Sequence, residues 1–288
     1  MIMVAGGTGR LGTALIGRLT GRGEQVRVLT RDPRRAAHLA GPLVEVVCGD
    51  LTMPGTVQRA VADADQVVSA VHGLVGPRGV SPATIDRDGN ASLVDAAATV
   101  GAEVVLMSVV GASADSPMEL CRMKSAAEAH LLEVAVQATV VRATPFAELW
   151  IDLLRHTARH SGRPVVFGNG RNPISFVSVH DVAAVVDRVL QDRSTRGAIL
   201  EITGPESLTF NELAALVQSA DGRSASARHL TPTLLRILAG TIGRVRPSFG
   251  RQLRSAAFMD RTDLSHVGDD IEERYPDLTR TTVHELLA

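Results

Sequence analysis

Three glycines spaced three apart, Gly6, Gly9 and Gly12, follow directly on the apolar run Met1–Ala5 and open the amphipathic segment Thr13–Leu19. A strand must turn sharply into a helix here. Glycine permits the positive φ of such a turn, removes the Cβ that would hold a ligand away from the backbone, and lets helix and strand pack closely. The first N–H groups of the helix have no intrahelical partner and lie at the positive end of its dipole. The turn Gly6-Gly7-Thr8-Gly9-Arg10-Leu11-Gly12 is therefore read as the seat of a dinucleotide's pyrophosphate.

The rest of the first half supports that reading. Short β-rich runs at Met1–Ala5, Gln25–Thr30, Val44–Cys48, Gln66–Val71, Glu103–Ser108 and Thr139–Arg142 alternate with longer Ala/Leu/Arg segments. Right-handed crossovers between such runs give a Rossmann-type, doubly wound α/β sheet with helices on both faces. The second half reads differently. A turn-rich loop, Phe167–Pro173, precedes an extended Ile174–Val179 and a helix from about Val182, a segment expected to return to the first domain. A strand at Ile199–Thr203, a helix from about Phe210 and the Arg-rich run Thr231–Arg261 are assigned to a smaller C-terminal lobe. The expected division is 1–150 for the nucleotide-binding domain, rejoined by about 174–197, and 151–288 for the lobe.

Further positions along the expected carboxyl edge of the sheet bear on the ligand. Where a NAD-preferring site carries a carboxylate at the end of the second strand, this chain has Arg31, which favours the 2′-phosphate of NADP. Asp32, Arg34 and Arg35 are close by, and the run also reads as a solvated charged turn. After the third strand, Asp50 can accept from the adenine amino group while Leu51 packs its ring, or Asp50 can simply form the turn. Ala70 and Val71, ending the fourth strand, and Thr144, Pro145 and Phe146, after the sixth, complete the expected cofactor contacts.

The glycine turn, Asp50-Leu51, Ser108, Lys124–Glu128 and Val141–Phe146 together resemble the NmrA-like atypical short-chain dehydrogenases/reductases. The resemblance continues through Ile174–Ala183 and Ile202–Glu206, almost end to end. It implies an NADP(H)-binding domain with a small lobe closing over a substrate cleft, in a group that includes quinone and isoflavone reductases and proteins that only sense the nucleotide.

Reductases with the full short-chain motif place a tyrosine four residues before a lysine, because carbonyl reduction needs a proton donor beside the incoming hydride. Here that position is Leu120, and the chain's one tyrosine is Tyr275. Lys124 remains, the single lysine among 30 basic residues, which marks it as catalytic or cofactor-binding through its compact ammonium. Ser108, closing the fifth strand, either orients a substrate oxygen or bonds its own loop. His180 is read as a partly buried neighbour of Asp181, which would N-cap the helix from Val182. His156 and His160 have a metal-ligand spacing without a third ligand, and read better as a wet helix face. The apolar and Arg-rich stretch Leu234–Arg254, with Gly240, Gly243 and Pro247 as breakers, is assigned to lobe helices rather than to a membrane-surface helix.

A formal charge of -1 supplies no global field toward nucleic acid or an anionic membrane. Two cysteines, Cys48 and Cys121, do not make a thiolate metal site, and neither a leader nor an apolar span is read, so a cytoplasmic monomer or homodimer without metal is expected. The expected function is NADPH-dependent reduction of a quinone, enone or similar conjugated carbonyl. The alternatives are a non-catalytic NADP(H)-sensing binding protein and a redox-neutral biosynthetic enzyme.

Overall fold

The structure, a computed structural model, describes residues 1–134, 137–159, 161–265 and 270–288; His160 lies outside them. Strands and helices alternate first: β1 (Ile2–Ala5), α1 (Arg10–Gly21), β2 (Val26–Thr30), β3 (Val44–Cys48), α2 (Pro54–Val61), β4 (Gln66–Ser69), α3 (Asn90–Val100), β5 (Glu103–Val109), α4 (Glu119–Glu133) and β6 (Ala138–Ala143). The chain continues with α5 (Ala147–Ala158), β7 (Val165–Phe167), β8 (Pro173–Ser175), α6 (Val179–Gln191), β9 (Ile199–Ile202), β10 (Ser207–Thr209), α7 (Phe210–Ala220), β11 (Arg228–Leu230), α8 (Pro232–Val245), α9 (Pro247–Met259), α10 (Asp270–Arg274) and α11 (Val283–Leu287). It divides into two compact units, 1–73 with 79–142 and 182–201, and 74–78 with 143–181 and 202–288.

The first unit is a Rossmann-type sheet of seven strands in the order β3-β2-β1-β4-β5-β6-β9. β1 runs parallel to both β2 and β4, β2 to β3, and β4 to β5. On the far side, Gly197 N donates to Ala138 O and Val140 N to Ala198 O, so β6 and the chain entering β9 climb in the same sense. Every residue of β1 is buried, as a strand covered on both faces requires. α1 closes one face with Leu11, Leu15, Ile16 and Leu19, which recur at helical spacing. The strand order reverses between β1 and β4, and ligands of open α/β sheets bind outside the carboxyl ends of the strands at such a point.

The second unit has its own core, in which Ile151, Leu154, Phe176, Phe210, Leu213 and Val217 are buried together. β8 pairs antiparallel with β10, and β7 parallel with β11. α7 begins where read, capped reciprocally by Thr209 and Glu212.

Four expectations are corrected. Ile199–Ile202, assigned to the lobe, is the outer strand of the main sheet; an isolated apolar run does not say which sheet edge it will pair with. β4 ends at Ser69, leaving Ala70 and Val71 in the loop beyond it. α6 starts at Val179, so Asp181 lies in its first turn and the helix start is held otherwise: Glu148 accepts from Val179 N at 3.0 and 3.1 Å. Finally, α8 runs through Gly240 and Gly243, and only Pro247 marks a new start, that of α9. A Cβ on Gly250 would meet Gly243 Cα at 2.6 Å, so these glycines allow two helices to touch backbone to backbone.

Candidate active site

The glycine turn divides the roles expected of it. Gly6 takes φ +84, and a Cβ there would lie 2.5 Å from Ala70 O. Gly12 is the close-packing position, since its Cβ would fall 2.3 Å from Gly6 O and 2.5 Å from Gly7 Cα. Gly7 is closed in by Val28 and Ile16. Gly9 alone of the four opens outward: the nearest atom to its Cβ would be Gly6 O at 3.2 Å. It is the N-cap of α1 and has no side chain to cap with, and the first turn contains no acid. The helix thus begins without a side-chain cap and with no acid to offset its positive end, behind a residue that leaves room for a ligand, which is the arrangement that fits a diphosphate.

Beside it, Arg31 is exposed and forms no ion pair among the described residues, whereas Asp32 is occupied as the cap of a short 3-10 turn, accepting from Arg34 N at 3.1 Å. A free guanidinium at the end of β2 fits an additional phosphate. Asp50 forms its own turn, Oδ1 accepting from Thr52 N at 2.9 Å and Thr52 Oγ1 at 2.8 Å. Leu51 is 7% exposed and belongs to the buried cluster that includes Leu29, Val57 and Leu93.

At the exit of β4 stands a buried charge system that the sequence reading only half saw. Lys124 points inward: its side chain is 3% exposed, and Nζ donates to Val71 O at 2.9 Å and Met107 O at 2.8 Å. Its counter-ion is Asp86, fully buried, with Oδ1 at 3.1 Å from Nζ. Asp86 Oδ2 accepts from Gly73 N at 2.7 Å. Ion pairs at this depth persist only when their remaining polar atoms are also met. Asn90 extends the system, donating to Asp86 O at 2.8 Å and accepting from Ser69 Oγ at 2.5 Å. Asp86 lies in a π-helical turn, Pro82–Gly89, running directly into α3.

Between the two clamped backbone groups, Val71 O and Gly73 N, lies His72, whose side chain is exposed. Desolvation by the surrounding protein lowers its imidazole pKa from the ordinary 6.5; the Lys124 ammonium adds to this and the Asp86 carboxylate opposes it. Asp86, Asn90 and His72 were missed because no local motif marks them. A signal was nevertheless present, since a lone lysine committed to the interior requires an acid to face it.

Ser108 is buried in β5, and its hydroxyl has no hydrogen-bond partner. It does not bond its own loop. Leu120 is buried on α4, one turn before Lys124. Burial pushes the neighbouring Cys121 thiol up, which makes it a poor acid at neutral pH. In the second unit, Thr144 N donates to Ile202 O at 3.2 Å while its buried hydroxyl is unpartnered; Pro145 and Phe146 lead into α5. His180 is exposed rather than partly buried, and Asp181 accepts from both Thr281 N and Thr281 Oγ1 at 2.7 Å. No group of three or more His, Cys, Asp or Glu among the described residues is arranged to hold a metal, and no described helix is long and apolar enough to cross a membrane.

Comparison with known proteins agrees with this architecture. The chain is 28% identical over 225 residues to the NAD(P)H azoreductase of Xenophilus azovorans, a match covering 77% of this chain and 74% of that protein. It is 25% identical over 246 residues to the photosystem II assembly factor Ycf39 of Trieres chinensis, covering 84% and 76%. The fold superimposes on the NADPH-dependent quinone oxidoreductase QOR2 of Escherichia coli, determined with NADPH, with a TM-score of 0.79 at 20% identity over 100% of this chain and 98% of that one. The family described as NAD(P)H-binding matches residues 6–193, from the glycine turn to the end of α6, and the chain belongs to that family.

Proposed function

We propose that this protein is an NADPH-dependent reductase of a quinone, enone or related conjugated carbonyl compound. The observation that carries the reading is the start of α1: an uncapped helix N-terminus behind the open Gly9, at the reversal of strand order, with the unpaired Arg31 guanidinium at the end of β2. In this reading the Gly6–Gly12 backbone holds the pyrophosphate, and Arg31 selects the 2′-phosphate, hence NADP(H) over NAD(H). When bound, NADPH supplies a hydride to an electron-poor acceptor. The chain's own contribution is positioning: Lys124 and Asp86 fix the backbone leaving β4 against β5, and Ser108 offers an unengaged hydroxyl at the carboxyl end of β5 to an acceptor oxygen. The azoreductase and quinone oxidoreductase among the similar proteins support a conjugated acceptor that takes two electrons.

The test is NADPH consumption by the purified chain across a panel of quinones, enones and azo compounds, followed by absorbance, with NADPH and NADH binding measured in parallel by calorimetry. Turnover with at least one class, and tighter binding of NADPH, is expected. Tight NADPH binding with no turnover across the panel would overturn the reductase reading in favour of nucleotide sensing.

A further inference from the structure

We propose that His72 is the proton donor of the reduction, taking the place of the tyrosine that Leu120 replaces, and that the buried Lys124–Asp86 pair is the clamp that presents it. The inference rests on the reductase reading above. Its basis is the backbone on either side of one residue. The carbonyl before His72, that of Val71, accepts from Lys124 Nζ at 2.9 Å, and the amide after it, that of Gly73, donates to Asp86 Oδ2 at 2.7 Å. The two buried charges are ion-paired to each other at 3.1 Å, so both ends of the loop are tied to one rigid unit.

Position 73 must be glycine for this path, because a Cβ there would lie 2.1 Å from Ser81 O. Upstream, the loop leaves β4 through Ala70, whose carbonyl abuts Gly6 of the nucleotide turn; a Cβ on Gly6 would also touch Val71 Cγ1 at 3.1 Å. The loop is therefore fixed beside the glycine turn, at the reversal of strand order. Within it the backbone is committed inward, and the imidazole is the exposed titratable group, with no hydrogen bond among the described residues. A fixed backbone around an unengaged imidazole places an acid without spending its proton on the protein.

The chemistry balances with a single proton. An acceptor that takes a hydride gains two electrons and one hydrogen and is left as an oxyanion or enolate. The imidazolium N–H of His72 transfers its proton to that oxygen, or to the enolate carbon. The neutral imidazole is then reprotonated by solvent. The charged groups bearing on it are Asp86 from the π-helical turn and Lys124 from α4, and its depressed proton affinity makes the imidazolium a readier donor.

The experiment compares the full-length chain with His72→Gln in pH profiles of kcat and KM, using an acceptor found to be turned over. The chain is expected to gain kcat as pH falls through a midpoint below 6.5, the ordinary imidazole value. His72→Gln is expected to lose that limb and about a hundredfold of kcat at the acid end, with KM for NADPH little changed. Independently of turnover, the His72 ring-proton NMR resonance, identified by its loss in the variant, is expected to shift on addition of NADP+. An active chain whose His72→Gln profile is unchanged overturns the proton donor and leaves the reductase reading standing. A chain inactive on every acceptor overturns both. A His72 resonance unmoved at saturating NADP+ overturns the placement.

Discussion

β1 and β4 are neighbours in the sheet, yet the chain leaves them through turns shaped by opposite means. The exit of β1 is built from missing side chains: Gly6, Gly7 and Gly12 are each so close to other atoms that a Cβ would collide, and Gly9 leaves the helix start open. The exit of β4 is built from side chains with the highest desolvation cost, an ammonium and a carboxylate at 3% and 0% exposure, holding the loop from beneath. The first turn leaves a helix start without a side-chain cap behind the open Gly9. The second hides its polar groups and exposes one imidazole. Void and clamp are two solutions to the same problem, fixing the path of a loop at a strand end.

The contrast is broken most severely by removing the acid of the clamp. Asp86→Ala leaves the Lys124 ammonium buried without its counter-ion, and urea unfolding is expected to show a loss of about 3–5 kcal/mol. Next comes Gly12→Ala in the glycine turn, where the new Cβ overlaps backbone atoms that cannot swing away. About 1–3 kcal/mol of stability is expected to go, together with nucleotide affinity in calorimetry. Arg31→Ala sharpens the comparison most gently: an exposed residue without an ion pair leaves unfolding within about 0.5 kcal/mol of the parent. The ratio of NADPH to NADH affinity is nevertheless expected to fall about tenfold, since one charge-assisted contact to phosphate is lost. An unchanged ratio would remove Arg31 from the site.

The two exits were unequally legible in the sequence. The turn after β1 could be read residue by residue because its requirements are local: backbone conformation and close approach act between residues that are neighbours in the chain. The place of Arg31 just past the end of β2 was legible for the same reason, by its distance along the chain from the glycines. Lys124 was singled out by composition alone, and the reading gave it a ligand to hold. In the structure its protons go to Val71 O and Met107 O, and its charge faces Asp86. Nothing local distinguished Asp86 from the adjacent Asp88, which is exposed and paired with Arg87. Asp181 was misplaced for a related reason, as a carboxylate at an element's end serves as cap or as anchor for a distant loop equally well until its neighbours are known.

By itself, the sequence determined that an opening strand must turn through glycine into a helix, that apolar runs alternating with helices form a parallel sheet, and that a guanidinium stands where a ribose-binding carboxylate is usual. These follow from sterics and periodicity, which act over a few residues. Tertiary structure alone decided that Ile199–Ile202 completes the main sheet, that Lys124 turns inward onto Asp86, and that His72 is left facing solvent between two anchored backbone groups. Those outcomes depend on which distant charges and strand edges meet, and the desolvation and pairing energies that select them exist only once the chain has folded.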